Sequence, residues 1–180
     1  MKRTLAIGCL SLATALGGGA IAASPASAVT AQSCAHLTGS AVISPGLTTT
    51  QANNTASATG TLTTCTPVAA TGGSGGVTAR LNIPNGSCQK LAAGGQRLYG
   101  TATVRWHNGR ASNLSLVFTT GTGANATLAT ITGKVASGLF VGKRIYGQIR
   151  FTVRTGQNCS PGHPIRNVTF TNTRAFTIFT

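Results

Sequence analysis

The residues best spaced for chemistry lie in KRIYGQIRFTVR, Lys143 to Arg154. At the period of two expected of an extended strand, Ile145, Gly147, Ile149, Phe151 and Val153 face one side. Arg144, Tyr146, Gln148, Arg150, Thr152 and Arg154 face the other. Residues two apart on a strand are separated by about 6.6 Å, close to the spacing of successive phosphates on one DNA strand. Guanidinium groups hold phosphate or sulfate through paired donors. The row is therefore a candidate site for an anionic polymer such as cell-wall teichoic acid, nucleic acid or acidic polysaccharide, with Arg105 or Lys134 assisting if their strands share the sheet. A simpler explanation competes with it. A solvent-facing strand needs polar side chains, and a chain without acids can supply only basic or neutral ones.

Other chemistries fare worse. The chain has 14 Lys and Arg, no Asp and no Glu, a net charge of +14. That composition removes paired-carboxylate glycoside hydrolysis, aspartic protease chemistry, carboxylate Ca²⁺ sites and the acid of a Ser-His-Asp triad. His36, His107 and His163 show no ligand spacing, so no metal and no cofactor is expected, and an enzyme would need two of them to converge beside a hydroxyl. The chain reads as non-enzymatic. An alternative is a carbohydrate-binding or protein-contacting module using Tyr99, Trp106 and Tyr146, which requires two or more rings exposed in a row. Asn-x-Ser/Thr matches arise easily in a Thr-rich chain and carry no weight.

The residues that must position these candidates belong to an exported chain. MKRTLAIGCLSLATALGGGAIAASPASA, residues 1–28, reads as a secretory signal with Lys2 and Arg3 at its positive end, an apolar run and a small-residue cleavage site between Ala28 and Val29. No window supplies the roughly 20 apolar residues of a membrane helix. Removing 28 of 180 residues leaves 152, the length of one domain, and removing Lys2 and Arg3 from +14 leaves +12. Cys9 departs with the signal. The remaining Cys34, Cys65, Cys88 and Cys159 are an even number in an oxidising compartment, the arithmetic of two disulfides. Three pairings are open. Cys34–Cys65 with Cys88–Cys159 is preferred because each bridge would tie neighbouring parts of a meandering sheet, at about 3–4 kcal/mol each.

Short runs of period-two alternation recur along the chain between Gly, Pro and Asn, without an apolar stripe at helical spacing. The class is all-β. About nine short strands are expected, the last two at residues 166–171 and 174–179, with loops at PVAATGGSGG and NGSCQKLAAGGQ. An antiparallel β-sandwich over residues 29–180, immunoglobulin-like or jelly-roll-like, is preferred over a closed β-barrel. One hairpin can be read in detail. In VRWHNGRASNLSLVF, a two-residue Asn-Gly turn would put the apolar rows of the two arms on opposite faces. A three-residue loop, His107-Asn108-Gly109, pairs Trp106 with Arg110 and Ala102 with Leu114 and turns both rows inward, so Trp106 becomes a core residue.

The export signal, the Thr/Ala/Gly-rich start with Cys34 and Cys65, TATVRWHNG followed by SNLSLVF, VASGLFVGKRIYGQIRFTV and the AFTIFT end resemble small exported actinobacterial proteins. The resemblance covers most of the mature chain and rests on structural punctuation. It implies a β-sandwich secreted to the cell envelope or medium, and it implies no activity. The basic GKRI after GLFV departs from that pattern, where neutral or acidic residues are expected.

Overall fold

Alternation of buried and exposed residues runs through eight strands: β1 (Thr30–Leu47), β2 (Ala52–Thr66), β3 (Gly75–Gly86), β4 (Arg97–Trp106), β5 (Ala111–Thr120), β6 (Leu128–Gly138), β7 (Arg144–Val153) and β8 (Ile165–Phe179). The computed structural model describes residues 30–180. The expected signal 1–28, its cleavage site at Ala28 and Val29, and Cys9 lie outside the described residues. Each strand pairs antiparallel with the next in sequence, and β8 returns to β1, closing the sheet into an up-and-down barrel.

This corrects the expected sandwich in favour of the barrel alternative, and nine strands become eight. The reason lies in β8, which is one strand of 15 residues. Where the alternation lapses at residues 172 and 173, the register of β1 against β8 shifts between Cys34 and Thr38. The Asn172 side chain fills that irregularity: its Oδ1 accepts the Leu37 N–H at 2.9 Å, and its Nδ2 donates to the carbonyls of Ala35 at 2.7 Å and Arg174 at 3.1 Å. A bulge patched by a side-chain amide lets the strand continue. Long, unbroken β8 then reaches both β7 and β1, and a closed sheet leaves no edge.

Inward positions are mostly apolar, with Gln32, Asn54, Ser112 and Thr120 the buried polar residues of the strands, whereas Thr38, Thr61, Thr78, Arg80, Thr101, Thr103, Asn113 and Lys134 stand on the outside. That polarity is the reverse of a membrane-spanning barrel. Among the described residues, no helix is long and apolar enough to cross a membrane.

The β4–β5 connection has the form read from the hydrophobic pattern. Ala102 faces Leu114, the Trp106 N–H donates to the Arg110 carbonyl at 2.8 Å, and Gly109 takes a φ of 80°. Trp106 is buried, its indole N–H donating to Ser112 Oγ at 2.9 Å, and Ser112 Oγ donates in turn to the Leu139 carbonyl at 2.6 Å. Phe140 meets the indole edge-on at 6.0 Å. These rings floor one end of the barrel.

Of the two segments expected as Gly-rich loops, one covers the other end. NGSCQKLAAGGQ contains a short helix, α2 (Cys88–Ala93), capped by Ser87, whose side chain accepts from the Lys90 N–H. PVAATGGSGG contains α1 (Val68–Thr71), at the floor end. Both preferred disulfides are formed. Cys34–Cys65 joins direct cross-strand partners of β1 and β2, and Cys88–Cys159 joins α2 to the loop between β7 and β8.

Candidate functional site

A row of four alanines runs around half of the barrel interior. Ala41 of β1 faces Ala58 of β2, Ala58 faces Ala79 of β3, and Ala79 faces Ala102 of β4. On the far side, Leu114, Val135, Ile149 and Phe176 project inward. Side chains one carbon long cannot meet those opposite across an eight-stranded barrel, whose interior is just wide enough for larger side chains to fill. A cavity of about 410 Å³ remains, bordered by both clusters of buried apolar residues. Close to Phe170 the wall is drawn in further. A Cβ on Gly39 would strike the Thr59 carbonyl and the Phe170 ring, so the ring lies where a side chain is missing.

Among the described lining residues, only Thr59, Thr120 and Thr127 carry polar side chains, and Thr120 Oγ1 already accepts the Gln96 N–H at 3.1 Å. Every other lining group is hydrocarbon or disulfide sulfur. The lumen reaches solvent at the end away from Trp106, where Leu91 and Ala92 of α2, Ala126 and Thr127, Val153 and Cys159 form its margin. Both cysteines of the bridge there are anchored to the turn between β1 and β2. The Cys88 N–H donates to the Thr48 carbonyl at 2.9 Å, and the Thr49 N–H donates to the Cys159 carbonyl at 3.1 Å.

The outer basic row follows the alternation expected of it. Arg144, Arg150 and Arg154 are exposed, and Tyr146 and Gln148 are half-buried. Lys134 of β6 is the direct partner of Arg144. Arg174 of β8 is the direct partner of Gln148, whose Oε1 accepts the Thr173 hydroxyl at 2.8 Å. Arg105 is also on the outer face, but it pairs with Ala111, while Lys134 pairs with Ser115. That offset along β5 is roughly 13 Å, and two strand spacings add to it, so Arg105 stands apart from the group. Arg174 was missed because its strand was read as separate from the segment before it. The alanine row was missed for another reason. Alternation marks each alanine as inward, but only the register shows that four of them coincide.

The aromatic candidates divide. Trp106 is inside, while Tyr99 and Tyr146 are on the outer face in one transverse row through Val117 and Thr132. His107 lies in the β4–β5 turn at the floor end and His163 in the loop at the opposite end, and all three histidines are exposed. No group of three His, Cys, Asp or Glu that could hold a metal occurs among the described residues.

Fold and site together define the class: an eight-stranded up-and-down β-barrel, floored at one end, with an apolar lumen that opens beneath a disulfide-tied cover. Comparison with protein-family models, curated proteins and solved structures gave no match.

Proposed function

We propose that this barrel is an exported, non-enzymatic carrier that holds one small apolar molecule in its lumen. The observation that supports this is the 410 Å³ cavity with an almost wholly hydrocarbon wall. Its size falls within the range of small-molecule sites. An unfilled void in a core forfeits about 2 kcal/mol of packing per hundred Å³, and an apolar ligand restores those contacts. Two disulfides fit a life in an oxidising compartment, in line with the signal read at residues 1–28. The test is titration of the oxidised chain with N-phenylnaphthylamine, a neutral apolar fluorophore. Saturable binding of one molecule per chain, with blue-shifted emission, is expected. Absence of saturable binding, with no co-purified molecule released on denaturation, overturns the reading.

A second reading has its own observation. Lys134 stands directly opposite Arg144, and like charges in that relation destabilise a sheet. An anionic polymer lying along β7 would relieve the repulsion and would also meet Arg174, Arg150 and Arg154. Binding of this kind weakens with salt, log affinity falling by about 0.9 per phosphate contacted on duplex DNA. Replacing Arg144, Arg150 and Arg154 by Gln should lower both affinity and salt slope more than replacing Arg80, Arg97 and Arg110. Equal losses would reduce the effect to net charge alone.

A further inference from the structure

We infer that the occupant of the lumen is a single-chain amphiphile with an anionic head group, its chain lying against the alanine row and its head held at the open rim. This rests on the carrier reading above and extends it to the chemical class of the ligand.

The wall decides where a charge can be. Among the lining residues only three threonines carry a polar side chain, and the Thr120 hydroxyl is already engaged. An ion buried there would be unpaired, which costs far more than a polar contact returns. A charged atom must therefore stay at the mouth, with only the apolar body inside.

The rim decides the sign of that charge. Lys90 of α2, Arg97 at the start of β4, Arg154 just beyond β7 and Arg166 near the start of β8 all stand at the open end. Two of them are held next to each other: the Arg154 N–H donates to the Asn167 carbonyl at 3.2 Å, and Gln157 Oε1 accepts the N–H of both Arg166 and Asn167. The Arg166 side chain lies over Gly46 at the rim end of β1. No carboxylate side chain exists anywhere in the chain to neutralise these cations. The field at the mouth attracts an anion and repels a cation, and desolvated walls around it strengthen that preference. The opposite end cannot serve, since Trp106 and Phe140 floor it.

The experiment is competition against bound N-phenylnaphthylamine by three probes of one chain length: laurate, lauryl alcohol and dodecyltrimethylammonium, each below its micelle concentration. Laurate is expected to bind best and dodecyltrimethylammonium worst, with the advantage of laurate shrinking as salt rises. The variant Arg154→Gln/Arg166→Gln should weaken laurate by about five-fold and leave lauryl alcohol unchanged. Laurate and lauryl alcohol binding equally, at low salt and in both proteins, would overturn the anionic head while leaving the carrier reading intact. Failure of the fluorophore and all three probes to bind would remove the carrier reading, and this inference with it.

Discussion

Ala58 of β2 and Ala79 of β3 face each other directly across the sheet, and the same row continues to Ala41 on one side and Ala102 on the other. The alignment leaves half of the barrel wall low at one level. Leu, Ile or Val at those four places would reach further across the lumen and fill it. The cavity is thus a property of four side chains and their register rather than of a loop.

Filling the row should close the site. The double variant Ala79→Leu/Ala102→Leu adds apolar volume to a space that is already void. Binding of N-phenylnaphthylamine should fall by at least about ten-fold, while thermal stability holds or rises. Had the space been packed, the added carbons would cost about 1–3 kcal/mol through strain. A clear drop in the unfolding midpoint would therefore argue against the cavity itself.

The two disulfides should behave differently. With sequence separations of 31 and 71 residues, loop closure assigns each about 4 kcal/mol. Cys34–Cys65 is buried between neighbouring strands, away from the mouth. Cys88–Cys159 ties together two parts of the margin of the lumen. Cys88→Ser/Cys159→Ser should therefore accelerate release of the bound fluorophore in stopped-flow dilution, whereas Cys34→Ser/Cys65→Ser should lower stability with little change in release. Equal release rates in the two variants, each measured below its own unfolding transition, would show that the bridge does not gate the mouth.

Local patterning reached some of this architecture and stopped short of the rest for physical reasons. The Trp106–Arg110 loop was legible because only one loop length turns Ala102, Val104 and Trp106 to the same face as Leu114, Leu116 and Phe118. The inside and outside of β7 were legible for the same reason. Closure was not, because pairing of β8 with β1 joins segments more than a hundred residues apart, and alternation describes only what happens within a strand. The lumen lay deeper still. Alternation in VTARL and TATV marks Ala79 and Ala102 as small inward side chains, yet whether they coincide with Ala41 and Ala58 depends on a register set by turns and bulges far away. Arg174 joined the basic face only once residues 166–179 proved to be one strand.

The seam between β1 and β8 should depend on Asn172. Its amide both accepts from Leu37 and donates to Ala35, so Asn172→Asp keeps an acceptor and loses the donor, while Asn172→Ala loses both. Each unsatisfied backbone group costs on the order of 1 kcal/mol where water can still approach. Chemical denaturation should give a loss of about 1 kcal/mol for Asn172→Asp and about 2 kcal/mol for Asn172→Ala. Faster hydrogen exchange at the Leu37 amide should accompany the Ala change. Unaltered exchange there in Asn172→Ala would mean that the ladder closes without the side chain.

Acid should be tolerated unusually well. Acid denaturation acts mainly through carboxylates whose native pKa lies below the unfolded value; the stability they confer is present above the unfolded pKa and is lost as pH falls through the native one. With no Asp or Glu, the chain has no side chain of that kind. The chain carries a net charge of +14 with no acid to offset it, so repulsion among exposed cations is the one general electrostatic burden on the fold. The unfolding midpoint of the oxidised protein should change little between neutral pH and about pH 3. Any small loss at low ionic strength should be recovered by salt, because repulsion between exposed charges is screened. A steep loss of stability below about pH 5 that salt does not reverse would contradict this account, since that is where paired carboxylates titrate in other proteins.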